Sequence, residues 1–393
     1  MSTKKETPLS IQLAVIAVAR LILNVGLRMV YPFAPALARG LNVPLTAVYR
    51  LVTLRNFAGF LSPAFTPLSG RFGRRKVMAG SLVLLGASGL IMLIWPSFIA
   101  LGVTLVLVAI AKVIYDPAMQ AYVGDKVPYQ QRGRAIAVTE LSWAGALLLG
   151  APAVGLLIAA QGWQAPFVWL GLLGVITAVI LYHLLPQSNR QSNSAVTLKQ
   201  VAAVVRAHPI IWAASIYILL LMGANEILFI VYGGWMESSF GLSLASLGVA
   251  SGVVGGAEVI GEFFVGLAVD RLGKRRVIMV TGVLTAVFYA AIPFIGNTLT
   301  SALITLFILF LFFEITVVGG VPLMTELVPE ARTVVMAMVL AFGALGRALG
   351  SIIGPLLWQM GGLRANGLLA ALIMLIAVVV LARWVKEKRP LGS

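Results

Sequence analysis

The chain has 393 residues, of which 60% are hydrophobic and only 11% charged, and its mean hydropathy is +1.00. A soluble domain carries about 25% charged residues, so this composition excludes a soluble globular protein and indicates a chain that lies in lipid. The net charge of +16 would otherwise suggest nucleic-acid binding, but the basic residues fall in short loops between apolar runs, as in membrane proteins. The absence of cysteine excludes disulfides and thiolate metal sites.

Twelve apolar runs follow one another along the chain, separated by charged residues or by Gly, Pro and Asn. Each is close to or above the roughly 20 residues that a helix needs to cross a bilayer. We therefore predict an all-α membrane protein with twelve transmembrane helices in two pseudo-symmetric six-helix bundles. The predicted spans are residues 11–37, 45–69, 77–95, 98–124, 134–159, 164–186, 209–235, 244–269, 277–295, 300–325, 333–358 and 365–385.

A polar stretch after the sixth run divides the chain into two halves. It is rich in Ser, Asn and Gln and ends in a short amphipathic segment. The polar start of the chain is not a cleavable signal peptide, because the apolar run that follows it is long enough to span the membrane. The predicted regions are an N-terminus at 1–10, an N-terminal bundle at 11–186, a linker at 187–208, a C-terminal bundle at 209–385 and a C-terminus at 386–393.

The basic residues are distributed unevenly between the two ends of the predicted helices. Of the 29 lysines and arginines, 21 fall on the side that holds both termini and the linker. Two, Arg39 and Arg364, fall on the opposite side, and six lie within the apolar runs. Cytoplasmic loops are enriched in Lys and Arg. We therefore predict an integral protein of the cytoplasmic (plasma) membrane with both termini and the linker in the cytoplasm.

The two halves of the sequence repeat each other at an offset of 200 to 201 residues. A basic, glycine-containing turn at 66–77 recurs at 266–277. Its glycine suits a tight turn in which a side chain would clash. In transporters built from parallel six-helix repeats, the substrate binds near the middle of the membrane between the halves, so the repeat predicts a central substrate site. Matched pairs include Asn24 with Asn225, Tyr31 with Tyr232, and Gly73 with Gly273.

Over essentially its whole length the chain resembles transporters of the major facilitator superfamily. The repeated turn is similar to that family's cytoplasmic motif, Gly-x-x-x-Asp-Arg-x-Gly-Arg/Lys-Arg/Lys. The second copy fits the motif fully, whereas the first has Thr66 in place of the glycine and Gly70 in place of the aspartate. The family's aspartate helps to latch a cytoplasmic gate, so the resemblance implies that Asp270 serves this latch. The gate residues that it implies are Arg71, Gly73, Arg74, Gly266, Asp270, Arg271, Gly273 and Arg275.

The fifth predicted span carries a second pattern, formed by Gly145, Gly150, Pro152 and Gly155. This pattern resembles the glycine and proline signature of the family's antiporters. The resemblance therefore extends to the drug/proton antiporter branch and implies efflux by exchange with protons.

Four ionisable residues inside the first half are the predicted proton-coupling group. Ionisable residues within a membrane are functional candidates by default. Asp116 and Glu140 lie at similar depths, about 13 Å and 9 Å from the basic loops at 1.5 Å per residue. Arg20 is near the same level, and Lys112 is four residues before Asp116, so the two can pair. The alternative is a structural ion-pair network that holds three helices together.

Other polar residues of the spans are predicted to form the substrate site. Arg20, Asn24 and Arg28 recur every four residues and share one helix face. Arg28 serves either the substrate and gating or only the structure. Glu226 and Glu314 lie nearer the substrate level and are the second choice for proton coupling. The predicted substrate-binding residues are Asn24, Arg28, Tyr31, Arg55, Asn225, Glu226, Tyr232 and Glu314.

The sequence favours a secondary active transporter that works by alternating access and exports a small amphipathic or drug-like compound in exchange for protons. Uptake or exchange of an organic anion is the alternative, because arginines such as Arg28 and Arg55 bind carboxylates well. Phe229 stands where a second-half counterpart of Arg28 would strengthen that alternative. A non-transporting membrane sensor on the same fold is the alternative of another class.

The expected partners are a small-molecule substrate, protons and the lipid bilayer. No enzymatic constellation and no Walker-type loop is visible in the sequence. We expect a monomer that is not an enzyme and that binds no cofactor, no metal and no nucleic acid.

Overall fold

The computed structural model describes residues 7–61, 65, 68, 70–128, 132–186 and 198–385. The described residues form helices joined by short turns. The helices are α1 (Leu9–Arg28), α2 (Val30–Gly40), α3 (Leu45–Phe57), α4 (Arg74–Ile94), α5 (Phe98–Lys126), α6 (Arg132–Gly145), α7 (Ala151–Gln161), α8 (Ala165–Leu184), α9 (Leu198–Ala207), α10 (Ile210–Phe229), α11 (Tyr232–Phe240), α12 (Leu244–Phe264), α13 (Asp270–Leu272), α14 (Lys274–Ile295), α15 (Leu299–Glu326) and α16 (Arg332–Trp384).

Ten helical stretches of the described residues are long and apolar enough to cross a membrane. One of them, Pro329–Trp384, contains two predicted spans. Between these two spans the backbone leaves the helical conformation, at Gly361 and Gly362. Gly362 has a φ of 58°, which glycine adopts without strain. α3 covers the start of the predicted span 45–69, whose remainder falls partly outside the described residues. The predicted all-α membrane fold is confirmed.

Two predicted spans each contain two helices that meet at equivalent positions of the repeat. In the span predicted at 11–37, α1 and α2 meet at Met29, and in the span predicted at 209–235, α10 and α11 meet at Ile230 and Val231. The backbone stays right-handed helical at Met29 and Ile230, whose N–H groups donate to the carbonyls four residues earlier. Ile210–Phe240 accordingly forms one candidate span. In the first half Pro32 has no N–H to donate to the carbonyl four residues earlier, so one hydrogen bond is lost near this junction.

Paired contacts repeat near the basic turns, as the aligned halves predict. Arg74 Nη1 lies 2.9 Å from Asp125 Oδ2, and at the matching positions Lys274 Nζ lies 2.6 Å from Glu326 Oε1. Arg75 donates to the carbonyl of Leu185, as Arg275 does to that of Val385. The internal repeat therefore extends from the sequence to specific side-chain contacts.

The helices group into two compact units. The first contains the described parts of 1–44, 61–195 and 244–252; the second contains those of 45–60, 196–243 and 253–393. α3 thus packs with helices of the second half of the chain, and the first turns of α12 pack with helices of the first half. The proposed bundles at 11–186 and 209–385, with a linker at 187–208, stay a prediction about the sequence repeat.

Close approach of α10 and α16 in the second unit depends on Gly346. A Cβ atom at this position would lie 2.2 Å from the carbonyl oxygen of Leu219, which belongs to the backbone and cannot turn away. Small residues allow this kind of tight packing between membrane helices. The two helices would have to separate to admit any side chain.

We expect Gly346→Ala to lower the thermal stability of the detergent-solubilised protein, since overpacking costs about 1–3 kcal/mol. Gly320→Ala in α15 is the matched control, because nothing lies within 4 Å of a Cβ placed there. The control should leave the unfolding temperature unchanged or raise it, since alanine favours helix. Equal unfolding temperatures for the two variants would contradict this role for Gly346.

Candidate functional site

A polar seam runs along α1 where this helix faces α5 and α6. It is formed by Gln12, Arg20, Asn24 and Arg28, which recur at intervals of four or eight residues and are all buried. At 1.5 Å per residue the seam extends about 24 Å along the helix. The hydroxyl of Tyr122 on α5 donates to Gln12 Oε1 at one end. The sequence prediction of a shared polar face on α1 is therefore reproduced, and the seam faces protein rather than lipid.

The four residues of the predicted proton-coupling group contact one another at the middle of this seam. Arg20 Nε lies 3.1 Å from Asp116 Oδ1, and Arg20 Nη1 lies 2.9 Å from Glu140 Oε1. Lys112 Nζ lies 2.7 Å from the other oxygen of Asp116, Oδ2. One guanidinium is thus shared by two carboxylates on neighbouring helices, and we call these four residues the coupling cluster.

The members of the coupling cluster differ in how far the surrounding protein buries them. The Arg20 side chain is 6% exposed, whereas the Glu140 side chain is 34% exposed. A buried charge is costly unless it is paired and hydrogen-bonded, and the cluster meets this condition with two acids and two bases. If one carboxylate binds a proton, the guanidinium keeps the other as its partner. The arrangement can therefore exchange protons without leaving Arg20 uncompensated.

Backbone carbonyls of α6 hold the arginines of the seam in place. Arg20 Nη1 donates to the carbonyl of Thr139 at 2.9 Å, and Arg28 Nη1 donates to that of Trp143 at 2.8 Å. Asn24 donates to Ser142 Oγ, which donates in turn to the Thr139 carbonyl. Sequence spacing did not reveal the role of Ser142, because it shows which face of a helix a residue occupies and not which neighbour it meets.

The glycine and proline pattern of the fifth predicted span lies where α6 passes into α7. The two helices are joined by a π-helical turn at Ala146–Gly150, and Pro152, which lacks an N–H group, follows it. π-helical turns are frequent at functional sites. Gly150 lets Val25 of α1 approach, since a Cβ there would lie 2.4 Å from Val25 Cγ2.

The other glycines of this pattern also lie at close contacts within the first unit. A Cβ at Gly145 would lie 3.2 Å from Leu21 of α1, and one at Gly155 would lie 2.5 Å from the carbonyl oxygen of Leu244. The pattern therefore lies where α1, α6, α7 and the start of α12 approach one another closely.

Trp143 lies between Arg28 and the coupling cluster. Its indole ring is 4.3 Å from Arg28 Cζ and 5.6 Å from Lys112 Nζ, measured to the ring centroid. Both distances are within the range of cation–π attraction. One half-buried aromatic ring thus contacts a cation on α1 and a cation on α5.

All eight predicted substrate-binding residues are buried, and they divide between the two compact units. The first unit contains Asn24, Arg28 and Tyr31; the second contains Arg55, Asn225, Glu226, Tyr232 and Glu314. Asn24 and Arg28 lie on the same face of α1 as Arg20 and contact α6, and Tyr31 follows on α2. The other five are distributed over α3, α10, α11 and α15.

In the second unit, Glu226 is part of a polar group that the sequence did not predict in full. Asn56 of α3 donates to Glu226 Oε1 at 3.1 Å, and Arg55 donates to Asn56 Oδ1 at 3.1 Å. The neighbouring Asn225 accepts a hydrogen bond from the hydroxyl of Tyr289. Asn56 was not among the predicted residues, although its position beside Arg55 inside an apolar run was a usable signal.

The remaining predicted residues of this unit pack against aromatic and glycine neighbours. Tyr232 stacks on Phe229, with ring centroids 5.7 Å apart. Glu314 of α15 lies against Gly261 of α12, where a Cβ would come within 3.0 Å of the Glu314 Cβ.

The glycines of the repeated basic turn have the backbone conformation that the sequence predicted. Gly73 has a φ of 83° and Gly273 a φ of 87°, which disfavours other residues.

Arg71 and Arg271 are exposed, whereas Arg74 is buried and pairs with Asp125. Gly266 lies in a π-helical turn, and Arg275 donates to the carbonyls of Ala382 and Val385. Thr66 and the Asp270 side chain fall outside the described residues.

Metal binding is not indicated by the described part of the chain. No group of three or more His, Cys, Asp or Glu side chains there is arranged to hold a metal ion.

Comparisons with known proteins agree with this architecture. The family model described as Major Facilitator Superfamily matches residues 16–233 and 214–393. "Multidrug resistance protein 2" of Bacillus subtilis (strain 168) is 23% identical over 383 residues, which cover 93% of this chain and 92% of that protein.

Two solved structures share the fold. Both are of a bacterial homolog of the human lysosomal transporter Spinster, in inward-facing conformations. The unoccupied form has a TM-score of 0.79 at 16% identity and covers 98% of this chain and 99% of its own. The occupied form has a TM-score of 0.72 at 18% identity, with coverages of 96% and 95%. At these identities the likeness concerns the fold alone.

Proposed function

Because the chain belongs to the Major Facilitator Superfamily, and is therefore a membrane transporter, we propose that it exports a small amphipathic or drug-like compound in exchange for protons by alternating access. The observation that carries this proposal is the coupling cluster, in which Arg20 is shared between Asp116 and Glu140. A coupling site needs a carboxylate that binds a proton in one conformation and releases it in another. Two acids that compete for one guanidinium meet this need.

Two further observations support efflux over uptake. The glycine and proline pattern at Gly145, Gly150, Pro152 and Gly155 resembles that of antiporters, and its first two glycines pack against α1, the helix that carries Arg20. The relative from Bacillus subtilis is named for multidrug resistance. In this proposal protons enter the cluster through Glu140, its most exposed carboxylate.

We propose Asn24, Arg28 and Tyr31 as the substrate-binding residues of the first unit, and, taken separately, the five predicted residues as those of the second unit. Their burial inside apolar helices suits an amphipathic ligand, because pockets for such ligands are mostly apolar with a few placed polar groups. Asp270 and its neighbours on the basic turns are proposed to control access from the cytoplasm.

Organic-anion transport is the second candidate, and the burial of two cations favours it. Arg28 and Arg55 lie within predicted spans and are each 2% exposed. Arginine binds carboxylate and phosphate groups in a bidentate manner. This candidate predicts that an anion rather than a cationic dye is the transported species.

Flux measurements in proteoliposomes separate these candidates. With the protein reconstituted and a pH gradient imposed, we expect ethidium, a cationic amphipathic dye, to accumulate on the more acidic side. Accumulation of an aromatic carboxylate such as salicylate above the level reached in protein-free liposomes, which corrects for passive entry of the neutral acid, without accumulation of the dye, would favour the organic-anion candidate. Absence of flux for a broad panel of amphipathic cations and anions would favour a non-transporting sensor.

The proposed topology is tested by thiol labelling, for which the chain offers a cysteine-free background. We expect Ser192→Cys in the linker to react with an impermeant thiol reagent only after cells are permeabilised. Asn297→Cys, between α14 and α15, is the control that should react in intact cells. The prediction follows from the concentration of Lys and Arg on the linker side. Labelling of Ser192→Cys in intact cells would refute it.

A further inference from the structure

We propose that Trp143 is the positioning residue through which the Arg28 end of the polar seam influences the protonation of the coupling cluster. This inference extends the proposed proton coupling and rests on it. In this proposal the Trp143 side chain connects the predicted substrate residue Arg28 with the carboxylates Asp116 and Glu140.

The connection is a continuous series of contacts within the first unit. Arg28 lies over the Trp143 ring at 4.3 Å and donates to the carbonyl of the same residue at 2.8 Å. Lys112 Nζ lies 5.6 Å from the ring centroid and 2.7 Å from Asp116 Oδ2. Asp116 in turn shares Arg20 with Glu140.

The ring gives the two cations a common partner. A cation is attracted to an aromatic face by the ring quadrupole, and the attraction grows where water is excluded. Movement of Arg28 toward a ligand would weaken its hold on the ring and on the Trp143 carbonyl. The ring could then shift relative to Lys112 and change how firmly Lys112 holds Asp116. A ligand with its own aromatic group could act on the same ring directly, because Trp143 is only half buried.

The ionisable groups near the ring come from three helices. α1 contributes Arg20 and Arg28, α5 contributes Lys112, Tyr115 and Asp116, and α6 contributes Glu140. Tyr115 directs its hydroxyl to the carbonyl of Ile16 on α1. α8, which also packs on α1, carries only Tyr182 and His183, both near its last turn.

The test is an infrared titration of carboxyl groups in the purified full-length protein in liposomes, which requires no substrate. The signal of the coupling cluster is the difference between the wild-type protein and the Asp116→Asn/Glu140→Gln double variant. We expect Arg28→Gln to shift the midpoint of this signal by about half a pH unit or more, given the size of a desolvated cation–π contact. The same shift should appear when Arg28→Gln is combined with Trp143→Phe, which keeps an aromatic face. It should fall to less than half its size when Arg28→Gln is combined with Trp143→Leu.

Trp143→Met also removes the ring, and it replaces Trp143→Leu in the test if the leucine variant does not fold. An equal shift from Arg28→Gln with and without the ring would overturn the proposal, because the two sites would then interact through space alone. Absence of any shift in the wild-type background would also overturn it. The titration is independent of transport, so failure of proton-driven efflux in proteoliposomes is a separate outcome.

Discussion

We expect pH-gradient-driven transport to fall at least about tenfold in Glu140→Gln and in Asp116→Asn, while substrate exchange at equal pH on both sides persists. A tenfold loss lies within the usual range of coupling between two binding sites. The physical reason is that an amide cannot bind and release a proton, so the shared Arg20 no longer changes partners. Substrate exchange requires only the conformational change with substrate bound, and it does not need net proton movement.

The measurement compares driven flux with exchange in the same proteoliposome preparations. Glu330→Gln is the matched control, since its side chain is 63% exposed and it lies outside the coupling cluster. Glu226→Gln and Glu314→Gln test the second choice for the proton site. If both cluster variants keep full pH-driven accumulation and Glu226→Gln or Glu314→Gln loses it, the proton route lies in the second unit.

The second large effect that we expect is on stability. Arg20→Met should destabilise the protein by about 3 kcal/mol, because removing one partner of a buried ion pair leaves a charge uncompensated. We take the lower end of the usual range because the Glu140 side chain is one-third exposed and so only partly buried by protein. Arg50→Met is the control, since Arg50 is an exposed arginine within a predicted span.

The double variant Arg20→Met/Glu140→Gln distinguishes charge pairing from lost packing. It should regain part of the stability that Arg20→Met loses, because Glu140 no longer carries an unpaired charge. Thermal unfolding of all four proteins, wild type included, in one detergent provides the comparison. A double variant that is less stable than Arg20→Met would show that the contacts of Arg20 are not chiefly electrostatic.

Much of the fold could be predicted because a membrane restricts the backbone structures that a chain can form within it. Every backbone polar group in the membrane must be satisfied, so a long apolar run must be a helix. The repeat at an offset of 200 to 201 residues likewise predicted matching turns, and Gly73 and Gly273 share a positive φ as expected. The helix junctions at Met29 and Ile230 keep right-handed helical dihedrals, so they do not end the apolar runs in which they lie.

Part of the candidate site could be predicted from the sequence. Sequence spacing fixes the depth and helix face of a charged residue, which was enough to place Arg20, Asp116 and Glu140 together. It does not fix how neighbouring helices rotate about their axes. The contacts of Ser142 with the Thr139 carbonyl, and of Asn56 with Glu226, therefore became visible only in three dimensions.

The proposed obligatory link between proton movement and substrate movement is tested most directly by the direction of net flux in the wild-type protein. Proteoliposomes are loaded with a fixed substrate gradient, and the opposing pH gradient is increased in steps. We expect net substrate flux to slow, stop and then reverse as the pH gradient comes to exceed the substrate gradient. Flux that always follows the substrate gradient, whatever the pH gradient, would contradict proton coupling.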